Sequence, residues 1–100
     1  MACDLSLLLT VERAFALETT GVVVVPDAPA AAATFPSSRM AAGELRYPNG
    51  RARSIELTLQ WTHFDEGGYR LMCIILDAPL AEVVAGCEVW CATHDRASGA

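Results

Sequence analysis

Four valines closed by a proline, GVVVVP at residues 21–26, constrain this chain more than any other stretch. β-Branched side chains are stiff at χ1 and suit a pleated backbone, so the run predicts a strand. Successive strand side chains point to opposite faces, which sends Val22 and Val24 one way and Val23 and Val25 the other. Both faces therefore need cover, in a chain of only 100 residues. That length supports one domain with a modest core. The same demand returns in YRLMCIILD, residues 69–77, whose middle is apolar on both faces.

The remaining punctuation is that of an all-β chain. LSLLLTVERAFAL, residues 5–17, fits two patterns: Leu5, Leu8, Leu9 and Phe15 follow a helical stripe, while Leu7, Leu9 and Val11 alternate as in a strand. The residues alone leave that choice open. In APAAAATFPSS, residues 28–38, Pro29 and Pro36 bracket the alanines and Pro26 stands just before, so a loop over 26–40 with one helical turn is expected. Pro48, Asn49 and Gly50 separate GELRY from RSIELTLQW and predict a hairpin, because Asn-Gly accepts positive φ cheaply. In the second of those strands Ile55, Leu57, Leu59 and Trp61 share one face, and Ser54, Glu56, Thr58 and Gln60 the other. DEGG turns the chain, Ala78-Pro79 breaks the next strand, LAEVV makes a short helical turn, and AGCEVWCA ends the fold with Cys87, Val89 and Cys91 on one face. About six short strands at this spacing predict a small closed barrel of Greek-key type, since closure removes exposed edges. Its core spans about residues 5–92, and residues 93–100 form an expected flexible tail.

Composition narrows the function. Apolar residues make up 53% and charged residues 19%, below the roughly 25% typical of globular domains, so a covered surface is expected. Twelve acidic against seven basic residues, a net charge of −5, argue against an electrostatic nucleic-acid binder. The one basic cluster is RYPNGRAR, residues 46–53, which makes Arg51 and Arg53 binding candidates. Its plainer reading is a solvated hairpin turn. No stretch reaches the roughly 18 apolar residues of a membrane span. The first residues, MACDLSLLLTVERAF, have no basic leader region and carry Asp4 instead, so a cytoplasmic chain is expected. Cys3, Cys73, Cys87 and Cys91 are then expected as free thiols.

Cys87, Cys91 and His94 resemble a metal set only on paper. Four strand residues separate the two sulfurs by about 13 Å at about 3.3 Å per residue, whereas one zinc ion needs both within about 2.3 Å. No metal or other cofactor is expected, and the cysteines read as small buried hydrophobes. A Cys–His nucleophile with His63 or His94 would need a spatial adjacency that sequence does not reveal. Asp65 and Glu66 precede Gly67-Gly68 and read as turn residues. Trp61, His63 and Phe64 cluster at a strand end, as plugs of the barrel or as the anchor of a binding site, where tryptophan is over-represented. Catalysis is not expected of this set.

The order of these segments resembles the second domain of translational GTPases such as elongation factor Tu. Val11, Glu12, Ala14, Phe15 and Leu17 match that family's leading strand, and Gly21 with Val22 to Val25 its next one. Ala42, Gly43, Glu44 and Leu45 match its Gly-containing turn and strand, and Met72 through Trp90 its apolar run, helical turn and last strand. In that last stretch Ile74, Ile75 and Leu76 stand for the apolar run, Val83 or Val84 for the anchor of the helical turn, and Gly86, Glu88 and Val89 for the final turn and strand. The resemblance covers residues 7 to 92, implies a strand for residues 5–17, and implies a barrel whose outer face is partly covered by neighbours. Asp77-Ala78 replaces the family's Arg-Gly, and no G-x-x-x-x-G-K-[ST] phosphate loop occurs in these 100 residues. The expected function is thus a non-catalytic protein-interaction module, working with a protein partner or as a homodimer. The alternative implied by the family is a small RNA- or ribosome-associated translation accessory protein.

Overall fold

In the computed structural model, residues 5–18, 21–33 and 37–92 are described. Seven strands make one antiparallel sheet: β1 (Leu5–Thr10), β2 (Arg13–Ala16), β3 (Val22–Val25), β4 (Arg39–Arg46), β5 (Ala52–Phe64), β6 (Gly68–Ile75) and β7 (Glu88–Ala92). Their order across the sheet is β1-β7-β4-β5-β6-β3-β2. The only helical segments among the described residues are 3-10 turns at Ala30–Ala32 and Leu80–Glu82, inside the two segments where short turns are predicted. Strands β4, β5 and β6 follow one another as hairpins and β7 returns beside β4, which is the Greek-key order.

The expected closed barrel of six strands is corrected. The sheet is a curled half-barrel of seven strands whose ladder stays open, with β1 and β2 as its edges. The extra strand arises because residues 5–17 change partner midway. Val11 donates its N–H to the Cys87 carbonyl at 2.8 Å and accepts from the Gly86 N–H at 2.9 Å, on the β7 side. Glu12, the next residue, donates to the Val25 carbonyl at 2.7 Å, on the β3 side. One chain segment thus borders both edges of the sheet.

The inner face carries the core, including Val22 and Val24 of β3, Leu45 of β4, Leu57 and Leu59 of β5, and Ile75 of β6. Gly21 opens the valine run because a Cβ there would collide with the Ile75 carbonyl of the neighbouring strand. The outer face answers the demand for cover in part. Val23 pairs with Phe15 on one side and Ile74 on the other, Ile74 pairs onward with Thr58, and Thr58 with Met40. This row crosses five strands. Its middle is buried, with Val23 6% and Ile74 4% exposed, while its ends are open, Phe15 at 47% and Met40 at 67%. The cover that both faces of these strands need is thus present within the chain at Val23 and Ile74.

The described part of the Pro/Ala-rich loop lies elsewhere. Ala28 belongs to the core, and Ala32 and Ala33 pack against it. It therefore packs against the inner face instead of covering the outer one. Phe35, which would pack on the valine strand if the loop formed a lid as the alternative to self-association, lies outside the described residues, as does the tail 93–100.

The hairpin between β4 and β5 is as predicted, with Gly50 at φ +92° and its N–H bonded to the Tyr47 carbonyl at 2.9 Å. Nothing lies within 4 Å of a Cβ placed there, so backbone conformation alone would penalise a side chain. Gly50→Val should cost roughly 1 kcal/mol or more in denaturant unfolding. On the outer row, Ile74→Ala should cost about 2–4 kcal/mol, as for a core residue, while Met40→Ala should stay within about 0.5 kcal/mol. Equal, small effects at both positions would show that the middle of the row is not buried in solution.

Candidate functional site

The five binding candidates sit at the two ends of β5 and do not form one site. At the hairpin end, Arg51 and Arg53 line a cleft of about 270 Å³ with Tyr47, Asn49, Ala52 and Glu82. Arg53 reaches the Glu82 carboxylate at 3.9 Å and donates to the Asp77 carbonyl at 3.4 Å. The Tyr47 hydroxyl donates to the same Glu82 carboxylate at 3.3 Å. Burial and Glu82 push the Tyr47 phenol up, against the pull of Arg53. The Glu82 carboxylate in the lining of this cleft offsets its basic character. Asp77, just after β6, has a structural role. Its side chain accepts the Glu56 N–H at 2.9 Å and extends the β5–β6 ladder.

At the other end, Trp61 is half-buried and packs against the core, in register with Leu71. His63 is exposed and meets the Tyr69 ring edge-on, with centroids 4.9 Å apart. Phe64 alternates to the opposite face, where the Arg70 guanidinium lies 5.0 Å from its ring centroid. Arg70 is itself clamped by Asp27 through two bonds of 2.7 and 3.1 Å. Trp61, His63 and Phe64 are therefore a strand-end cluster split across two faces. Asp65 and Glu66 lie in the β5–β6 turn, as predicted.

A third constellation escaped sequence reasoning. Arg39 opens β4 on the inner face, in register with the fully buried Leu59. Its Nη1 donates to the Ala32 carbonyl at 3.0 Å and its Nη2 to the Ala92 carbonyl at 2.8 Å, with Cys91 Sγ 3.6 Å from Nη2. The guanidinium therefore bridges the alanine turn, β4 and β7. Beside it lies a cavity of about 230 Å³ lined by residues that include Ser6, Leu7, Leu8, Pro29 and Ala32. The signal that could have found Arg39 was its alternation with Ala41, Gly43 and Leu45, which puts it on the core face.

Cys73, Cys87 and Cys91 are buried free thiols. Burial, helped by neighbouring Cys91, pushes the Cys73 thiol up to about 12. Burial also raises Cys91, although the Arg39 charge and hydrogen bond oppose it. Neither arrangement supplies a thiolate nucleophile. Among the described residues no group of three His, Cys, Asp or Glu side chains is placed to hold a metal ion, and His94 lies outside them. No described helix is long and apolar enough to cross a membrane. Comparison of the chain with protein families, with curated proteins and with solved structures returns no match.

The raised Cys73 thiol links stability to alkaline pH. The folded chain holds this proton up to about pH 12, while the unfolded thiol releases it near its ordinary 9.0. The contribution is complete below that lower value and is lost as pH rises toward the upper one, by about 1.4 kcal/mol per pH unit. Urea titrations across this alkaline range should show that decline, and Cys73→Ala should make it shallower, leaving the smaller part that the raised Cys91 and Tyr47 contribute.

Proposed function

We propose that this chain is a non-catalytic protein-interaction module, built on a sheet like that of elongation factor Tu domain 2, and that it works in the cytoplasm as a homodimer. The observation that carries the reading is the outward row Phe15–Val23–Ile74–Thr58–Met40, apolar but for Thr58 and open at both ends. Leu17, the next outward position after Phe15, is also exposed. The exposed apolar side chains at the two ends of this row, Phe15 and Met40, offer contact points, and two-fold pairing is the commonest way for identical chains to cover them. The low charge content of the chain supports the same reading.

The family likeness is supported by placement. The leading segment lies in β2, the valine run in β3, residues 42–45 in β4, and most of the apolar run in β6. The translation-accessory alternative finds less support, because Glu82 offsets the cleft that holds Arg51 and Arg53.

Light scattering should give twice the 10.7 kDa chain mass at high concentration. Phe15→Ser combined with Met40→Ser should return the chain to monomer with its fold intact. A wild-type monomer at all concentrations would overturn self-association. Steeply salt-dependent retention on RNA would instead favour the accessory-protein alternative.

A further inference from the structure

We propose that the cavity beside Arg39 is a binding site for a small aliphatic carboxylate, with the Arg39 guanidinium holding the carboxylate and the apolar wall holding the chain. The proposal goes beyond the interaction reading and does not depend on it, since the cavity and the outer row lie on different faces.

The Arg39 guanidinium is a partly buried cation with no acidic partner among the described residues. A buried cation is costly unless an anion and hydrogen bonds compensate it. Arginines 46, 53 and 70 each have an acidic partner, Glu44, Glu82 and Asp27 respectively. Arg39 lies on the inner face and contacts two neutral carbonyls and a thiol, and its Nε is buried with no hydrogen-bond partner among the described residues. Ten of the twelve acidic residues are among the described ones, and none of those ten pairs with Arg39. Cys91 is not the counter-ion, because its thiol is pushed up by burial and stays protonated at neutral pH.

The cavity defines the rest of the ligand. At about 230 Å³ it is smaller than the roughly 300–1,000 Å³ that drug-sized ligands occupy. Leu7, Leu8, Pro29, Ala31 and Ala32 supply its apolar wall, and Ser6 a single hydroxyl. A phosphate dianion would demand several more donors than this lining offers. A carboxylate needs one guanidinium, which Arg39 supplies among the lining residues, and a short alkyl chain suits the wall. The carbonyls of Ala32 and Ala92 hold the guanidinium in place before a ligand arrives, which limits the ordering cost of binding.

Titration of hexanoate into the ¹⁵N-labelled protein tests this by NMR. The expected result is saturable movement of the Arg39 Nε–Hε signal and of the Ser6 and Ala32 amides. Hexanamide, the neutral isostere, should bind about ten-fold more weakly or worse, because it lacks the charge-assisted bond. Arg39→Gln should lower hexanoate affinity to the hexanamide level. If that variant does not fold, the comparison of the two ligands on the wild-type chain decides alone. Three results would each overturn the proposal: no saturation with hexanoate, equal affinity for hexanoate and hexanamide, or shifts centred on Arg51 and Arg53.

Discussion

The change of partner between Val11 and Glu12 is the constraint on which the rest of this structure depends. Two neighbouring residues bond to strands at opposite ends of the sheet order, Val11 beside β7 and Glu12 beside β3. A flat sheet cannot satisfy both, because β1 and β2 are its two opposite edges and the sheet must curl back to bring them together. The curl in turn creates an enclosed inner face, where Val11 is buried with the core. Closure is thus achieved by the chain, through one continuous segment, while the hydrogen-bonded ladder remains open. Two edges survive as a result, and both are short strands, a common means of limiting unwanted pairing.

The same curl explains why a strand of four valines can exist in so small a protein. Val22 and Val24 fill the enclosed side, and Val23 is buried on the outside in a row with Phe15 and Ile74. An outer apolar row across five strands is more than a sheet needs for its own stability, since antiparallel sheets commonly present one polar face to water. Around β7 the outer face mixes the exposed Leu7 with polar groups. Trp90 of β7 lies under the Arg46 guanidinium, 4.1 Å from its centroid, and donates its indole N–H to Glu88 at 2.9 Å. The contrast between the two regions makes the Phe15–Met40 row the sheet's distinctive surface.

What the sequence could reveal followed from local rules. Ile55, Leu57 and Leu59 alternate cleanly and are all buried, and Pro48-Asn49-Gly50 turns the hairpin that it encodes. The segment 5–17 was harder, since its leucines satisfy a helical and a strand period together and only pairing partners decide between them. The switch at Val11–Glu12 leaves no local mark at all, because it is a property of which strands lie alongside. The site was less legible still. Arg51 and Arg53 do share a cleft, but its central acid is Glu82, which reaches it from the turn after β6. Arg39 sits in RMAA, where two alanines give a weak strand signal, and its inward direction depends on β4 beginning at that residue.

Locally consistent sequences break their own rules mainly where something other than folding is served. By that standard most of this chain's charges are ordinary. Arg46, Arg53 and Arg70 stand on the surface with acidic partners, and Arg13 covers the exposed Phe15 ring at 5.5 Å. Arg39 departs from the pattern: it faces inward, it has no acid among the described residues, and it leaves a buried donor unused there. Leucine at this position would satisfy the alternation of β4 and fill the cavity wall. The arginine instead ties the alanine turn to β7 through carbonyls that a leucine would leave unbonded. That bridging role accounts for two of its donors and for the ordered path of the Ala30–Ala32 turn. It does not account for the unbonded Nε or for the open space beside it, and those two features are what separate a site from a brace.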